Sequence, residues 1–158
     1  MEEFPTFVTH LECSETGKHY PAEQLHGLSD AGKPLLVRYD LDGLGKALTK
    51  QDLKSRLPEL WRYREFLPVR HSQNVVRLGE LMTPLLPAIK IQREYQCGEI
   101  LIKDEGRLPT GSFKARGLTM AVSMAKELGV RVMAMPTNGN AGAALAAYCS
   151  RAGIETYV

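Results

Sequence analysis

The chain has 158 residues, of which 44% are hydrophobic and 24% charged, and its formal net charge is +2. These values are ordinary for a globular domain, and they support neither a nucleic-acid partner nor an anionic membrane surface. No apolar run approaches the roughly 20 residues that cross a bilayer, and the acidic opening MEEFPTF lacks the apolar centre of a secretory signal. Cys13, Cys97 and Cys149 are far apart and odd in number, which fits free thiols in a reducing cytoplasm better than a disulfide framework.

Residues 1–80 carry mixed, irregular signals and read as an N-terminal appendage. Thr6–Leu11 alternates like a strand, Cys13–Gly17 (CSETG) is rich in turn formers, and Leu35–Tyr39 is a second short strand. Asp52–Phe66 predicts a helical or 3₁₀ stretch broken at Pro58, with Trp61 packed inward and Arg56, Arg62 and Arg64 forming a solvated face. That face is too short, in a nearly neutral chain, to serve as a nucleic-acid surface. Cys13 and Gly17 sit like half of a zinc ribbon, but Thr16 stands where a second cysteine would be. His10, His19 and His26 lie nearby at spacings that give no tetrahedral set, so no metal is expected.

From residue 81 the pattern becomes regular. Thr83–Pro87 is held extended by its prolines. Glu99–Lys103 (EILIK) predicts a strand, and Ser112–Leu128 predicts a helix with Leu118, Ala121, Val122, Ala125 and Leu128 on one buried stripe. Gly129 ends that helix. Arg131–Met135 is a second strand, Asn140–Ala152 an alanine-rich helix closed by Gly153, and Ile154–Val158 a third strand. Strands alternating with helices predict an α/β fold with a parallel sheet and right-handed βαβ crossovers, a three-layer architecture whose ligands bind at the carboxyl ends of the strands. The last strand is expected to continue into a longer chain, so that 81–158 forms the first part of a larger domain.

Two turns stand at those carboxyl ends. The first, Pro109-Thr-Gly-Ser-Phe-Lys114, delivers Lys114 where a turn becomes a helix; the second is Pro136-Thr-Asn-Gly-Asn-Ala-Gly142. Polar, glycine-bearing turns joined to helix N-termini suit anions and cofactors. A lysine fixed there, with small neighbours, is a candidate Schiff-base nucleophile toward an aldehyde cofactor and a general acid and base afterwards. Ser112 would cap the helix or contact a phosphate. Phe113 would pack in the core beside the lysine. Arg116 would either bind a substrate phosphate or pair with an acid, and Asp104 and Glu105 would orient the loop or Arg107.

Lys103-Asp-Glu-Gly-Arg-Leu-Pro-Thr-Gly-Ser-Phe-Lys-Ala-Arg-Gly117, Thr137-Asn-Gly-Asn-Ala-Gly142 and Met82-Thr-Pro-Leu-Leu-Pro87 resemble the pyridoxal-phosphate enzymes of fold type II, the tryptophan synthase β-like family. Within that family the threonine synthases are the most similar, and Leu60-Trp-Arg-Tyr-Arg-Glu-Phe-Leu-Pro68 is similar to a segment upstream of their catalytic domain. The resemblance covers residue 58 to the end.

It implies pyridoxal 5'-phosphate as cofactor, with Lys114 bound to it and Asn140, Ser112 and Phe113 beside it. It further implies that Thr137, Asn138, Gly139, Ala141 and Arg116 contact a small amino-acid phosphate, O-phospho-L-homoserine, which is converted with water to L-threonine and phosphate. A homodimer is common in the family. Ala115 departs from the aspartate many threonine synthases have there, which keeps ammonia-lyases and replacement enzymes of the same fold open, as well as a non-catalytic domain. The glycine-rich phosphate loop of the family does not occur in these residues, so the chain by itself is expected to bind cofactor weakly and not to turn over.

Overall fold

A computed structural model describes residues 3–158. The N-terminal region is more ordered than its sequence suggests. Strand β1 (Val8–Cys13) pairs antiparallel with both β2 (His19–Tyr20) and β3 (Leu35–Tyr39), giving a three-stranded sheet in the order β2-β1-β3. Two short helices follow. Helix α1 (Leu41–Ala47) starts where the Asp40 side chain accepts the Gly43 amide, and α2 (Lys50–Lys54) starts at a Thr49/Asp52 capping box. Such caps offset the unpaired first amides of a helix. Pro58 separates α2 from a 3₁₀ segment, Leu60–Phe66.

The arginines around Trp61 do not form a solvated face. Arg56 makes a two-pronged pair with Glu65, and Arg62 bonds the Leu53 carbonyl. Burial pushes the Glu65 carboxyl upward, but the Arg56 hydrogen bonds, a backbone hydrogen bond and the charges of Arg56 and Arg64 together outweigh it and the net shift is downward. Trp61, Phe4 and Val69 form a small core of their own, with Val75 and Met124 packed against it.

Beyond residue 80, β4 (Leu85–Pro87), α3 (Ile89–Tyr95) and β5 (Leu101–Lys103) lead into α4 (Lys114–Glu127), β6 (Val132–Ala134), α5 (Asn140–Ala152) and β7 (Glu155–Tyr157). The parallel βαβ unit is present as β6-α5-β7, with Val132 opposite Glu155 and Ala134 opposite Tyr157. The expected third parallel strand is not. Among the described residues β5 pairs antiparallel with β4 instead, Leu85 opposite Lys103. Pro84 and Pro87 hold that segment extended, so β4 presents a ready edge. The layering is accordingly partial.

The main core lies between α4 and α5. Ala115, Leu118, Val122 and Ala125 meet Ala144, Leu145, Tyr148 and Cys149, with Val76 and Leu108 closing the cluster. The small residues let the helices approach closely. Thr119 and Ser123 also face this interior. Thr119 donates to the Val76 carbonyl at 2.6 Å and Ser123 accepts the Val76 amide at 2.8 Å, so two polar side chains on the buried stripe pin the preceding loop. Within the same core the Tyr148 hydroxyl donates to buried Glu80, and burial raises the tyrosine far above its usual pKa. All three cysteines are free.

Candidate functional site

Lys114 is the first residue of α4, and its position follows from the turn before it. Thr110 (φ 67°) and Gly111 (φ 68°) are both left-handed. Glycine takes that conformation without cost, whereas threonine is strained in it. Buried Leu108 anchors the turn, and the Gly111 amide closes it on the Leu108 carbonyl at 2.9 Å.

Two expectations for this turn fail. The helix N-cap is Phe113, and Ser112 does not cap. Ser112 lies one residue too early in extended backbone (φ −156°), so its carbonyl, not its hydroxyl, takes the Ala115 amide. The Ser112 and Thr110 hydroxyl oxygens are buried with no partner among the described residues. Phe113 is not core either. It is 59% exposed, and the Lys114 ammonium sits 4.7 Å from its ring centroid, a cation–π contact.

The second loop is tied by one hydroxyl. Thr137 Oγ1 accepts the amides of Gly139 (3.1 Å) and Gly142 (3.0 Å). Gly139 caps α5 at φ 135°, ψ −90°, a conformation reserved for glycine, so Asn140 is the first helical residue and not the cap. Of the first three amides of α5, only Gly142 finds an acceptor among the described residues. The Asn140 and Ala141 amides remain available at the positive end of the helix dipole.

The two turns, far apart in sequence, open onto a single cleft. Lys114, Pro136, Thr137, Asn138, Gly139, Asn140 and Ala141 line an open space of about 530 Å³. It joins an amine to a loop with free amides, an arrangement able to hold an anionic ligand and present it to a nucleophile. Ser112, Phe113 and Arg116 do not line it.

Arg116 is engaged elsewhere. Its guanidinium bonds both oxygens of Glu105, with Nη2–Oε1 at 2.8 Å, and Thr83 donates to the same carboxylate. Asp104 takes Arg107 at 2.8 Å. Arg116 thus has the acid partner that one of its two expected roles required. The spacing of Glu105 to Arg116 along the chain gave no sign of it, because the intervening turn brings them together.

The Arg116 hydrogen bonds lower the Glu105 pKa from 4.5 to about 2, overcoming the upward effect of burial. A carboxylate depressed in the folded state stabilises fully above its unfolded pKa and loses that contribution as the pH falls through the folded value. We therefore expect Glu105→Gln to cost roughly 1–2 kcal/mol at pH 7. The difference from the parent should shrink below about pH 4.5 and vanish near pH 2, as read from denaturant unfolding across that range.

Comparison with known proteins adds a second line. Residues 76–158 match the family model described as "Pyridoxal-phosphate dependent enzyme". The chain belongs to this family. Enzymes of this family use pyridoxal phosphate, and the lysine and amide loop fit such a group. The amine suits its aldehyde, and the free amides at the start of α5 suit an anionic group.

Among curated proteins the chain is similar to the threonine synthase of Methanocaldococcus jannaschii, 38% identical over 146 residues that cover 92% of this chain and 36% of that protein. It is similar to the threonine synthase of Methanosarcina acetivorans at 35% identity, over 94% of this chain and 36% of that one. It is also similar to that of Halalkalibacterium halodurans at 46% identity, over 63% of this chain and 28% of that one. The chain thus spans about a third of the length of the first two relatives. No helix among the described residues is long and apolar enough to cross a membrane.

Proposed function

We propose that this chain carries the reactive lysine and the carboxylate-binding loop of a pyridoxal-phosphate dependent carbon–oxygen lyase of the threonine synthase type. The reaction converts O-phospho-L-homoserine and water to L-threonine and phosphate. The observation that carries the reading is the shared cleft of Lys114 and the Pro136–Ala141 loop.

Lys114 Nζ would hold the cofactor at its aldehyde group, and as a free amine it is placed to take up and deliver protons at the substrate. The amides of Asn140 and Ala141, with the dipole of α5 behind them, hold the substrate carboxylate. Thr137 keeps those amides aimed, since its oxygen already accepts two others while its hydroxyl proton remains free for the substrate. The Asn140 side-chain amide, which lines the same cleft, would donate a hydrogen bond to the cofactor ring. Bound pyridoxal phosphate supplies the electron sink for the carbanion chemistry. Residues 1–80 act as an appendage to the catalytic part, 81–158. Arg116, held by Glu105, ties the loop before the turn to α4, outside the cleft.

The test is product analysis on the full-length gene product. Equal amounts of L-threonine and inorganic phosphate from O-phospho-L-homoserine are expected. Ammonia and a keto acid from an unphosphorylated amino acid, with no phosphate released, would move the assignment to an ammonia-lyase of the same family.

A further inference from the structure

We propose that the N-terminal hairpin binds a divalent transition-metal ion, with zinc the best match, through His10 Nε2, Glu12 Oε2 and His19 Nε2. This site shares no residue with the lysine cleft. The expectation that these histidines form no ligand set came from spacing along the chain, and pairing between strands overrides it.

His10 and Glu12 stand two apart on β1 and so share a face of the sheet. His19, on β2, lies directly opposite Glu12 in the register. One ligand atom from each of the three residues falls within 4.8 Å of the other two. Glu12 Oε2 is 3.9 Å from His10 Nε2 and 3.6 Å from His19 Nε2. Both distances are too long for hydrogen bonds. They are close to the spacing of about 3.3–3.5 Å between ligand atoms around a tetrahedral zinc with bonds of 2.0–2.2 Å. The His10 and His19 rings lie stacked, with centroids 3.9 Å and planes 31° apart, so closing the set requires one imidazole, the exposed His19, to turn until its Nε2 lone pair points to the shared position.

The hydrogen bonds around the triad leave these three atoms free for an ion. The Thr9 hydroxyl donates to the Arg38 carbonyl at 3.1 Å, so its oxygen can only accept from His10 Nδ1, 2.9 Å away. That places the imidazole proton on Nδ1 and leaves Nε2 with a lone pair. Orientation of a ligating histidine through its other nitrogen is the usual support of a metal site. His10 Nε2 is a buried atom with no hydrogen-bond partner among the described residues, a state that proteins seldom leave unrelieved.

Glu12 is divided in the same way. Arg38 holds Oε1 at 2.6 Å and leaves Oε2 toward the imidazoles. The neighbouring guanidinium lowers the affinity but also fixes the carboxylate. His26 takes no part, since its Nε2 contacts the Pro21 carbonyl at 2.8 Å. The His19 side chain is 63% exposed, which gives an ion an entry path and leaves the fourth position to water. Bound there, the ion would clamp the two-residue strand β2 onto β1.

Cobalt(II) is the probe, because it replaces zinc and absorbs visibly. It is titrated into the purified full-length gene product, without pyridoxal phosphate, in a Cys97→Ser background that removes the exposed thiol. We expect d–d absorption that saturates at one equivalent, shows no thiolate charge-transfer band, and is displaced by zinc. His19→Ala should weaken cobalt binding at least about tenfold, and His10→Ala likewise. The His19 change is the safer one for the fold, as the side chain is largely solvated, and circular dichroism would verify that β1–β3 persist. Unchanged affinity in the folded His19→Ala protein would overturn the site. So would a thiolate band pointing to Cys13, or no saturable binding at millimolar cobalt.

Discussion

Lys114→Ala abolishes the visible absorption that pyridoxal phosphate acquires on binding to the full-length gene product, and lowers turnover by about 10³-fold or more. The reason is positional. Among the described residues no other lysine lines the cleft. Lys103 Nζ donates to the Thr83 carbonyl at 2.6 Å and is committed to that backbone acceptor, while Lys126 lies at the far end of α4, its Nζ on the Gln73 carbonyl at 2.8 Å. Borohydride reduction of the cofactor-loaded protein, followed by peptide mapping, should place the label on the peptide containing Lys114 in the parent and nowhere in the variant. A label on Lys103 or Lys126 in the parent would remove Lys114 from its assigned role, whatever the activity.

Gly142→Ala is the second large effect. A Cβ built there comes within 2.4 Å of Thr137 Cγ2 and 2.4 Å of Val158 Cγ1. Thr137 cannot simply rotate away, because its hydroxyl holds the Gly139 and Gly142 amides. Relief requires α5 to shift or the turn to break. Overpacking of this kind costs about 1–3 kcal/mol, and loss of the turn disperses the amides that face the cleft. Denaturant unfolding should show the stability loss, and spectral titration with pyridoxal phosphate a weaker site. Gly98→Ala, where nothing lies within 4 Å of the added carbon, should change neither by a measurable amount.

The parts legible in the sequence were those with a strong local pattern. The apolar stripe from Leu118 to Ala125 located α4, and α5 runs from Asn140 to Ala152 with Gly153 in the left-handed cap (φ 72°). The two turns could be read as partners because their residue types demand backbone geometry that few other sequences need. What escaped depends on contacts between distant residues or on short-range alternatives of nearly equal weight.

Helix α1 contains Gly43 and Gly45, which hide it from any propensity argument, and the Asp40 cap is what starts it. Thr119 and Ser123 look like breaks in the stripe until their bonds to Val76 are known. Phe113 is apolar and yet exposed, its ring taken by the lysine. The partner of β5 could not be read, since EILIK is compatible with either neighbour.

Glu127 closes α4 in an unusual way. Its carboxylate receives the backbone amides of Arg70 and His71, at 2.8 and 3.0 Å, and the Asn74 side chain at 3.2 Å. The segment from Arg70 to Asn74 continues into the small core around Trp61, since Phe4 bonds the Arg70 carbonyl and Val75 packs there. Helix α4 is thus a rod about 20 Å long, gripped by the N-terminal region at one end and bearing the amine at the other. A hydrogen-bonded helix transmits displacement with little give. A displacement of the Trp61 region would therefore be expected at the cleft as a tilt of the lysine's base, with the rod as a lever and the packed face of α5 as its fulcrum.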